Sequence, residues 1–145
     1  MTPEYQYNEG KYLYQIGRPE EACRMFRDAY QGGIAEAAVS LGDYYYDRGD
    51  YSKAEEWYLR GASAGVAEAM HCVGVMYQNR GDYQSAYKWY TKAAAHRYPA
   101  SFEALGYMYQ YGKGVGRNIS LAIEYYEQGA NLGDSNCIEA LEAMD

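Results

Sequence analysis

Apolar residues recur at steps of three and four positions through most of the chain, in segments of helical length separated by short polar or glycine-containing breaks. This pattern predicts a series of amphipathic helices. The segment 41–65 shows the repeated unit most clearly, because it contains two such helical segments joined by a short turn. Gly10, Gly42, Gly74 and Gly106 each lie 32 positions after the one before. A period of this size is typical of arrays of helical repeats.

Capping residues predict where the helices begin and end. Thr2 followed by Pro3 is a helix start, Gly17 is a left-handed stop, and Asn118 is a second N-cap. The corner 96–99 lacks the glycine of the other units and is expected to be stiffer. Predicted helices run over 3–15, 19 to about 31, 35–47, 51–62, 67–79, 83–95 and 135–144, and two more flank a longer turn at 111–118.

Small and large residues alternate in a way that predicts packing between neighbouring helices. Gly42 and its equivalents are expected to let another helix backbone come close, and Ala54 and its equivalents to do the same on the second helices. Tyr45 and Tyr58, with their equivalents, are expected to fill the space between. One unit cannot bury both of its faces, so the units must stack into a superhelix with a concave side.

At these positions the chain resembles the Sel1-like repeat, a relative of the tetratricopeptide repeat. The matching residues are Leu41-Gly42, Tyr45, Gly49, Ala54, Trp57-Tyr58 and Gly65, and in the fourth unit Tyr111-Gly112, Gly114-Val115, Ala122 and Tyr125-Tyr126. The first three units lack the four-residue insertion and resemble tetratricopeptide repeats. The resemblance implies an all-α, right-handed superhelical α-solenoid of antiparallel helix pairs. We expect one domain, 1–145, with repeats at about 3–34, 35–66, 67–98 and 99–134 and a capping helix at 135–145.

The resemblance also implies a function: such repeats are non-enzymatic scaffolds or adaptors that bind a protein or peptide on the concave face. A dedicated inhibitor or regulatory subunit of one enzyme or toxin is the alternative. A hydrolase of the kind claimed for some secreted relatives is a weaker alternative, because the paired cysteines of those relatives are absent. Helical geometry assigns the following residues to the partner-binding face: Tyr14, Glu36, Asp43, Tyr46, Asp47, His71, Gln78, Asn79, Glu103, Tyr107, Gln110 and Tyr111.

Charge narrows the kind of partner. The net charge of -7 argues against nucleic acid, whose phosphates require lysine and arginine on the protein. A neutral to basic protein partner is therefore expected. No run of 18 apolar residues is present, so no membrane association is expected. The first residues carry no visible signal peptide, which predicts a cytoplasmic protein.

The sequence holds few groups suited to catalysis or to metal binding. Cys23, Cys72 and Cys137 share no short spacing, which indicates buried free thiols in a reducing compartment. With only two histidines, His71 and His96, general acid-base chemistry has few candidates. We expect no metal, no cofactor and no enzyme activity.

Overall fold

The computed structural model describes all 145 residues and contains nine α-helices and no β-strand. The all-α fold predicted from the repeat pattern is therefore confirmed. The helices are α1 (Pro3–Gln15), α2 (Pro19–Gln31), α3 (Ala37–Asp47), α4 (Tyr51–Ser63), α5 (Ala67–Asn79), α6 (Tyr83–Ala95), α7 (Pro99–Tyr111), α8 (Ile119–Asn131) and α9 (Ser135–Ala143).

The predicted N-caps are confirmed by hydrogen bonds to the first turn of each helix. The Thr2 hydroxyl accepts from the backbone N–H of Tyr5 at 3.1 Å, and the Asn118 side chain accepts from that of Leu121 at 3.1 Å. Asp50, Asp82 and Asp134 cap α4, α6 and α9 in the same way. Each cap satisfies one of the donors that a helix leaves free at its N-terminus, which is why these residue types fix the helix starts.

The prediction that the third helix begins at Ala35 is wrong by two residues. Glu36 stands at the N-cap without a side-chain cap bond. The backbone N–H groups of Ala37 and Ala38 instead bond to the carbonyls of Ile34 and Ala35, three residues back, at 3.1 and 3.0 Å. The chain therefore enters α3 through a tight turn, because no capping side chain is available to start the helix earlier.

Arg97 explains what is unusual about the corner at 96–99. It takes the left-handed conformation, with φ of 61°. At the corresponding places of the other units the left-handed residue is glycine, namely Gly33, Gly65 and Gly133. A residue with a Cβ is strained in this conformation. Arg97 therefore lowers the stability of its corner slightly, whereas the glycines at the other corners do not.

The helices form two compact units, residues 1–69 and residues 70–145. In the first unit α1 packs against α2, α2 against α3, and α3 against α4. Its core contains Leu13, Ala22, Phe26, Ala29 and Leu41. Tyr45, which is predicted to be a core residue, is 9% exposed.

In the second unit α7 packs against α6, α8 and α9. One cluster of buried residues contains Ala86, Tyr90, Leu105 and Met108. A second cluster, nearer the C-terminal end, contains Ala122, Tyr126 and Cys137.

The repeated glycines make room for an aromatic ring, and not for a helix backbone as the sequence led us to expect. A Cβ at Gly74 would lie 2.6 Å from Cε1 of Tyr90, and one at Gly106 would lie 2.6 Å from Cε1 of Tyr126. The first two repeats follow the same arrangement. The glycine on each first helix therefore allows the large aromatic residue of the following second helix to lie against the first helix.

Candidate functional site

In the first unit, α1 and α3 border a cavity of about 460 Å³ that we call the first pocket. Its floor is the ring of Phe26 from α2, which is only 2% exposed. Two of the predicted binding residues, Tyr14 and Asp43, lie in its wall. The full lining is Lys11, Tyr14, Gln15, Phe26, Ser40 and Asp43.

Tyr14 is fixed in the wall by a hydrogen bond from its hydroxyl to Oδ2 of Asp47. Partial burial raises the pKa of Tyr14 above its usual value, and the hydrogen bond to the Asp47 carboxylate raises it further. The phenol therefore stays protonated and keeps donating to Asp47. This bond joins α1 to α3 beside the first pocket.

Asp43 carries an uncompensated negative charge. Its carboxylate accepts a hydrogen bond from the hydroxyl of Tyr58 at 2.5 Å, but it forms no ion pair. Partial removal of water by the surrounding protein raises the pKa of Asp43. The hydrogen bond from Tyr58 lowers this pKa, and the nearby carboxylates of Glu68 and Asp47 raise it further. The residue is nevertheless exposed to solvent. Crowded carboxylates of this kind favour a cation at the site.

The other three predicted residues of this unit, Glu36, Tyr46 and Asp47, do not line the first pocket. Glu36 is exposed at the N-cap of α3. Tyr46 is half-buried, and its ring meets that of Tyr51 edge-on with 5.1 Å between centroids.

In the second unit, α5 and α7 border a smaller cavity of about 270 Å³ that we call the second pocket. Four of the predicted binding residues lie in its wall: His71, Gln78, Glu103 and Tyr107. Tyr90 from α6 and two alanines of α7, Ala100 and Ala104, complete the lining.

His71 is held in place from three directions. Its Nδ1 lies 2.9 Å from the Ser101 hydroxyl, and its ring contacts those of Tyr90 and Tyr98 at 5.1 and 5.2 Å between centroids. Burial lowers the pKa of His71 to about 4. At neutral pH the imidazole is therefore uncharged, and it contributes a polar surface to the second pocket without a positive charge.

Two glutamines of the predicted set accept hydrogen bonds from buried tyrosines. Oε1 of Gln78 accepts from the Tyr90 hydroxyl at 2.6 Å, and Oε1 of Gln110 accepts from the Tyr126 hydroxyl at 2.8 Å. Both tyrosines are almost fully buried, so these bonds satisfy hydroxyls that would otherwise be left without a partner. The glutamine side chains therefore have a structural duty in addition to any contact with a ligand.

The remaining predicted residues of this unit offer accessible polar and aromatic groups. Tyr107 and Tyr111 are 40% and 56% exposed, and their rings lie 4.8 Å apart between centroids. Glu103 accepts a hydrogen bond from the Asn136 side chain at 3.2 Å. Asn79 is exposed at the end of α5.

Family models match most of this architecture. A Sel1 repeat model matches residues 35–66 and 103–134, and a tetratricopeptide repeat model matches residues 66–95. The crystal structure of a Sel1 repeat protein from Oxalobacter formigenes is 26% identical, with a TM-score of 0.82. The chain is a Sel1-like repeat protein.

Other solved structures share the fold of this Sel1-like repeat protein. The protective antigen c5321 of uropathogenic Escherichia coli, which displays an SLR fold, is 27% identical with a TM-score of 0.84. Helicobacter pylori cysteine rich protein B is 19% identical with a TM-score of 0.65, a likeness of fold alone; the alignment covers 81% of this chain and 96% of that one. The alignments with the first two cover 94% and 98% of this chain but only 60% and 33% of theirs. No curated protein sequence matches the chain.

The two pockets of this Sel1-like repeat protein occupy equivalent places in the repeat. Positions 14, 26, 40 and 43 of the first pocket correspond to positions 78, 90, 104 and 107 of the second, two repeats later. Repeats of this kind are generally protein-protein interaction modules.

The residues selected from the sequence include part of each pocket lining but not the floor residues, Phe26 and Tyr90. The signal was present, since both occupy the large aromatic position of the second helix.

Cys23, Cys72 and Cys137 are free thiols, and no group of three His, Cys, Asp or Glu side chains lies close enough to hold a metal ion. The Sel1-like and tetratricopeptide families are typically non-catalytic. None of the nine helices has the length and apolar content needed to cross a lipid bilayer.

Proposed function

We propose that this Sel1-like repeat protein is a non-enzymatic module that binds extended or helical segments of a partner protein on the first helices of its repeats. The contact residues would be those of α1 and α3 in the first unit and those of α5 and α7 in the second. An adaptor would bind in this way, and so would a dedicated inhibitor or regulatory subunit.

One observation carries the proposal: a pocket recurs at the same repeat position in each unit, with first-helix residues in its walls and a second-helix aromatic ring beneath. Binding interfaces concentrate their affinity in a few aromatic and charged residues that lie in well-packed pockets. Tyr14 and Tyr107 supply such aromatic groups here. Tyrosine provides a broad contact area at a small cost in conformational entropy.

The charges of the first unit favour a partner segment that carries lysine or arginine. Several carboxylates are close enough to one another to influence the same titratable groups. Glu68 and Asp47 raise the pKa of Asp43, and Glu68, Glu36 and Asp43 raise that of the neighbouring Tyr7. Opposite charge on the partner would stabilise the complex and speed its formation. The free thiols fit a reducing compartment, and we propose that binding takes place in the cytoplasm.

Selection of a displayed random peptide library on the immobilised chain tests this proposal. We expect peptides that contain basic and aromatic residues, with micromolar affinity measured by titration calorimetry. The double variant Tyr46→Ala plus Tyr107→Ala should weaken binding by at least about tenfold, which corresponds to about 1.4 kcal/mol.

The matched control removes two tyrosines that lie away from the first-helix contact residues. Tyr5 and Tyr12 are 52% and 55% exposed on another face of α1. Tyr5→Ala plus Tyr12→Ala should leave the affinity unchanged. Selected peptides that bind both double variants as tightly as the original chain would contradict the proposed binding face.

A further inference from the structure

The first repeat differs from the other three at one buried position. In repeats two to four the second helix presents a tyrosine hydroxyl to a first-helix side chain, whereas Phe26 in the first repeat has no hydroxyl. The three tyrosine bonds run from Tyr58 to Asp43 at 2.5 Å, from Tyr90 to Gln78 at 2.6 Å and from Tyr126 to Gln110 at 2.8 Å.

The two pockets also differ in volume and in the hydrogen bond at this position. In the second pocket, Tyr90 reaches up to Gln78, and the cavity measures about 270 Å³. In the first pocket, Tyr14 takes the place of Gln78 but donates its hydrogen bond sideways to Asp47, and the cavity measures about 460 Å³. Sites that hold small ligands or side-chain-sized groups measure roughly 300–1,000 Å³. The first pocket is within this range and has an apolar floor.

A carboxylate stands at the rim of this apolar floor. Asp43 lines the first pocket and has no cationic partner. Lys11, the one basic residue in the lining, has its Nζ 4.5 Å from the centre of the Tyr7 ring. The pocket therefore combines an aromatic floor and a negative rim, and the positive group within it is already placed on an aromatic ring.

This combination selects among possible occupants. A purely aliphatic or aromatic side chain would cover Phe26 but would take water from the Asp43 carboxylate without supplying a counter-charge, which is costly. A small cation would leave the floor uncovered. Arginine and lysine have an apolar stem that can lie on a ring and a cationic end that can reach a carboxylate.

We infer that the first pocket receives an arginine or lysine side chain of the partner segment, with its stem along the rings of Tyr14 and Phe26 and its cationic end at Asp43. This inference rests on the proposed function. It assigns the basic residue of the partner to one repeat and leaves the polar second pocket for a neutral side chain.

The test uses two small probes of equal shape, N-acetylarginine methylamide and its uncharged isostere N-acetylcitrulline methylamide. Each probe is added to the isotopically labelled full chain, and binding is followed by NMR. The arginine probe should shift the signals of Gln15, Ser40 and Asp43, with an affinity at least about tenfold higher than that of the citrulline probe. Equal affinity for the two probes would overturn the inference.

Two variants separate the floor from the rim. Phe26→Tyr introduces the residue that the other three repeats already have at this position against their glycines, so the fold should be retained. The added hydroxyl group should weaken binding of the arginine probe at least about tenfold. Asp43→Asn keeps an acceptor for the Tyr58 hydroxyl and should weaken binding equally. Asp28→Asn removes the same charge from an exposed site on α2 and should change nothing. Arginine binding that survives both Phe26→Tyr and Asp43→Asn contradicts the inference.

The library peptides keep this result distinct from the proposed function. Peptides that lose affinity in the Tyr46→Ala plus Tyr107→Ala variant, but need no basic residue and bind the Phe26→Tyr variant normally, would support the binding face and overturn the arginine pocket. Absence of any bound peptide, together with selective binding of the arginine probe, would overturn the proposed function and leave the pocket assignment standing. Circular dichroism of each variant confirms that the helices are intact.

Discussion

Replacement of His71 by asparagine should make the stability of the protein less sensitive to acid. Burial lowers the pKa of His71 to about 4, against 6.5 for the free side chain. The unfolded chain therefore takes up a proton as the pH falls below 6.5, whereas the folded chain does not take it up until the pH approaches 4. The contribution of His71 is fully present above pH 6.5 and is lost as the pH falls towards 4. Asparagine does not titrate, so His71→Asn removes this dependence.

The size of the effect follows from the two pKa values. Each pH unit between them changes the free energy of unfolding by about 1.4 kcal/mol. Relative to pH 7.5, His71 should therefore lower the stability by about 1.4 kcal/mol at pH 5.5 and by about 2.5 kcal/mol at pH 4.5. Asp43, whose pKa is raised in the folded chain, acts in the opposite direction over part of this range. The difference between the original chain and the variant cancels the contribution of Asp43 and isolates that of His71.

Urea unfolding followed by the helical circular dichroism signal, at several pH values between 4.5 and 7.5, measures this difference. The chain offers a matched control in its second histidine, because His96 is exposed. His96→Asn should leave the pH dependence unchanged. If the stability of His71→Asn falls with acid as steeply as that of the original chain, or if His96→Asn flattens the curve, the burial argument is wrong.

Two further predictions concern the repeat framework. Gly106→Ala places a methyl group 2.6 Å from a carbon of the buried Tyr126 ring, so an overpacking cost of about 1–3 kcal/mol should exceed the roughly 1 kcal/mol gained in helix propensity. Thermal unfolding should show a net loss of stability, and an unchanged or raised midpoint would contradict this reasoning. Arg97→Gly should raise the free energy of unfolding by up to about 1 kcal/mol, because glycine adopts the left-handed conformation without strain. Arg97→Ala is the control and should give no gain; equal stability of the two variants would show that Arg97 is not strained.

Local sequence signals were sufficient to predict most of the fold. Thr2, Asp82 and Asn118 fix helix starts by hydrogen bonds made within three residues, and the left-handed Gly17 marks a helix end. These interactions depend only on neighbours along the chain. The start of α3 was misplaced because its first turn is closed by backbone bonds, for which no particular side chain is required.

The candidate site was less predictable because its pockets combine residues from three helices. A helical wheel identifies which residues of α1 and α3 share a face, and two residues that it selects, Tyr14 and Asp43, line the same cavity. It cannot report the size of the space between the helices. It also missed Ser101, which is buried and enters the site only as the hydrogen-bond partner of His71.

Positions that depart from the repeat are therefore more informative about binding than positions that follow it. In three repeats the tyrosine of the second helix contacts a glycine and donates a hydrogen bond to the first helix, namely Tyr58, Tyr90 and Tyr126. These contacts within the fold are sufficient to explain why tyrosine recurs at this position. Phe26 contacts its glycine in the same way but has no hydroxyl group. The first repeat therefore lacks the hydrogen bond that joins the two helices in the other repeats. The first repeat also has the larger of the two pockets, and Asp43 in its lining has no ion-pair partner. If the first pocket receives the basic residue of a partner, as we propose, the specificity for that partner should depend most strongly on the first repeat.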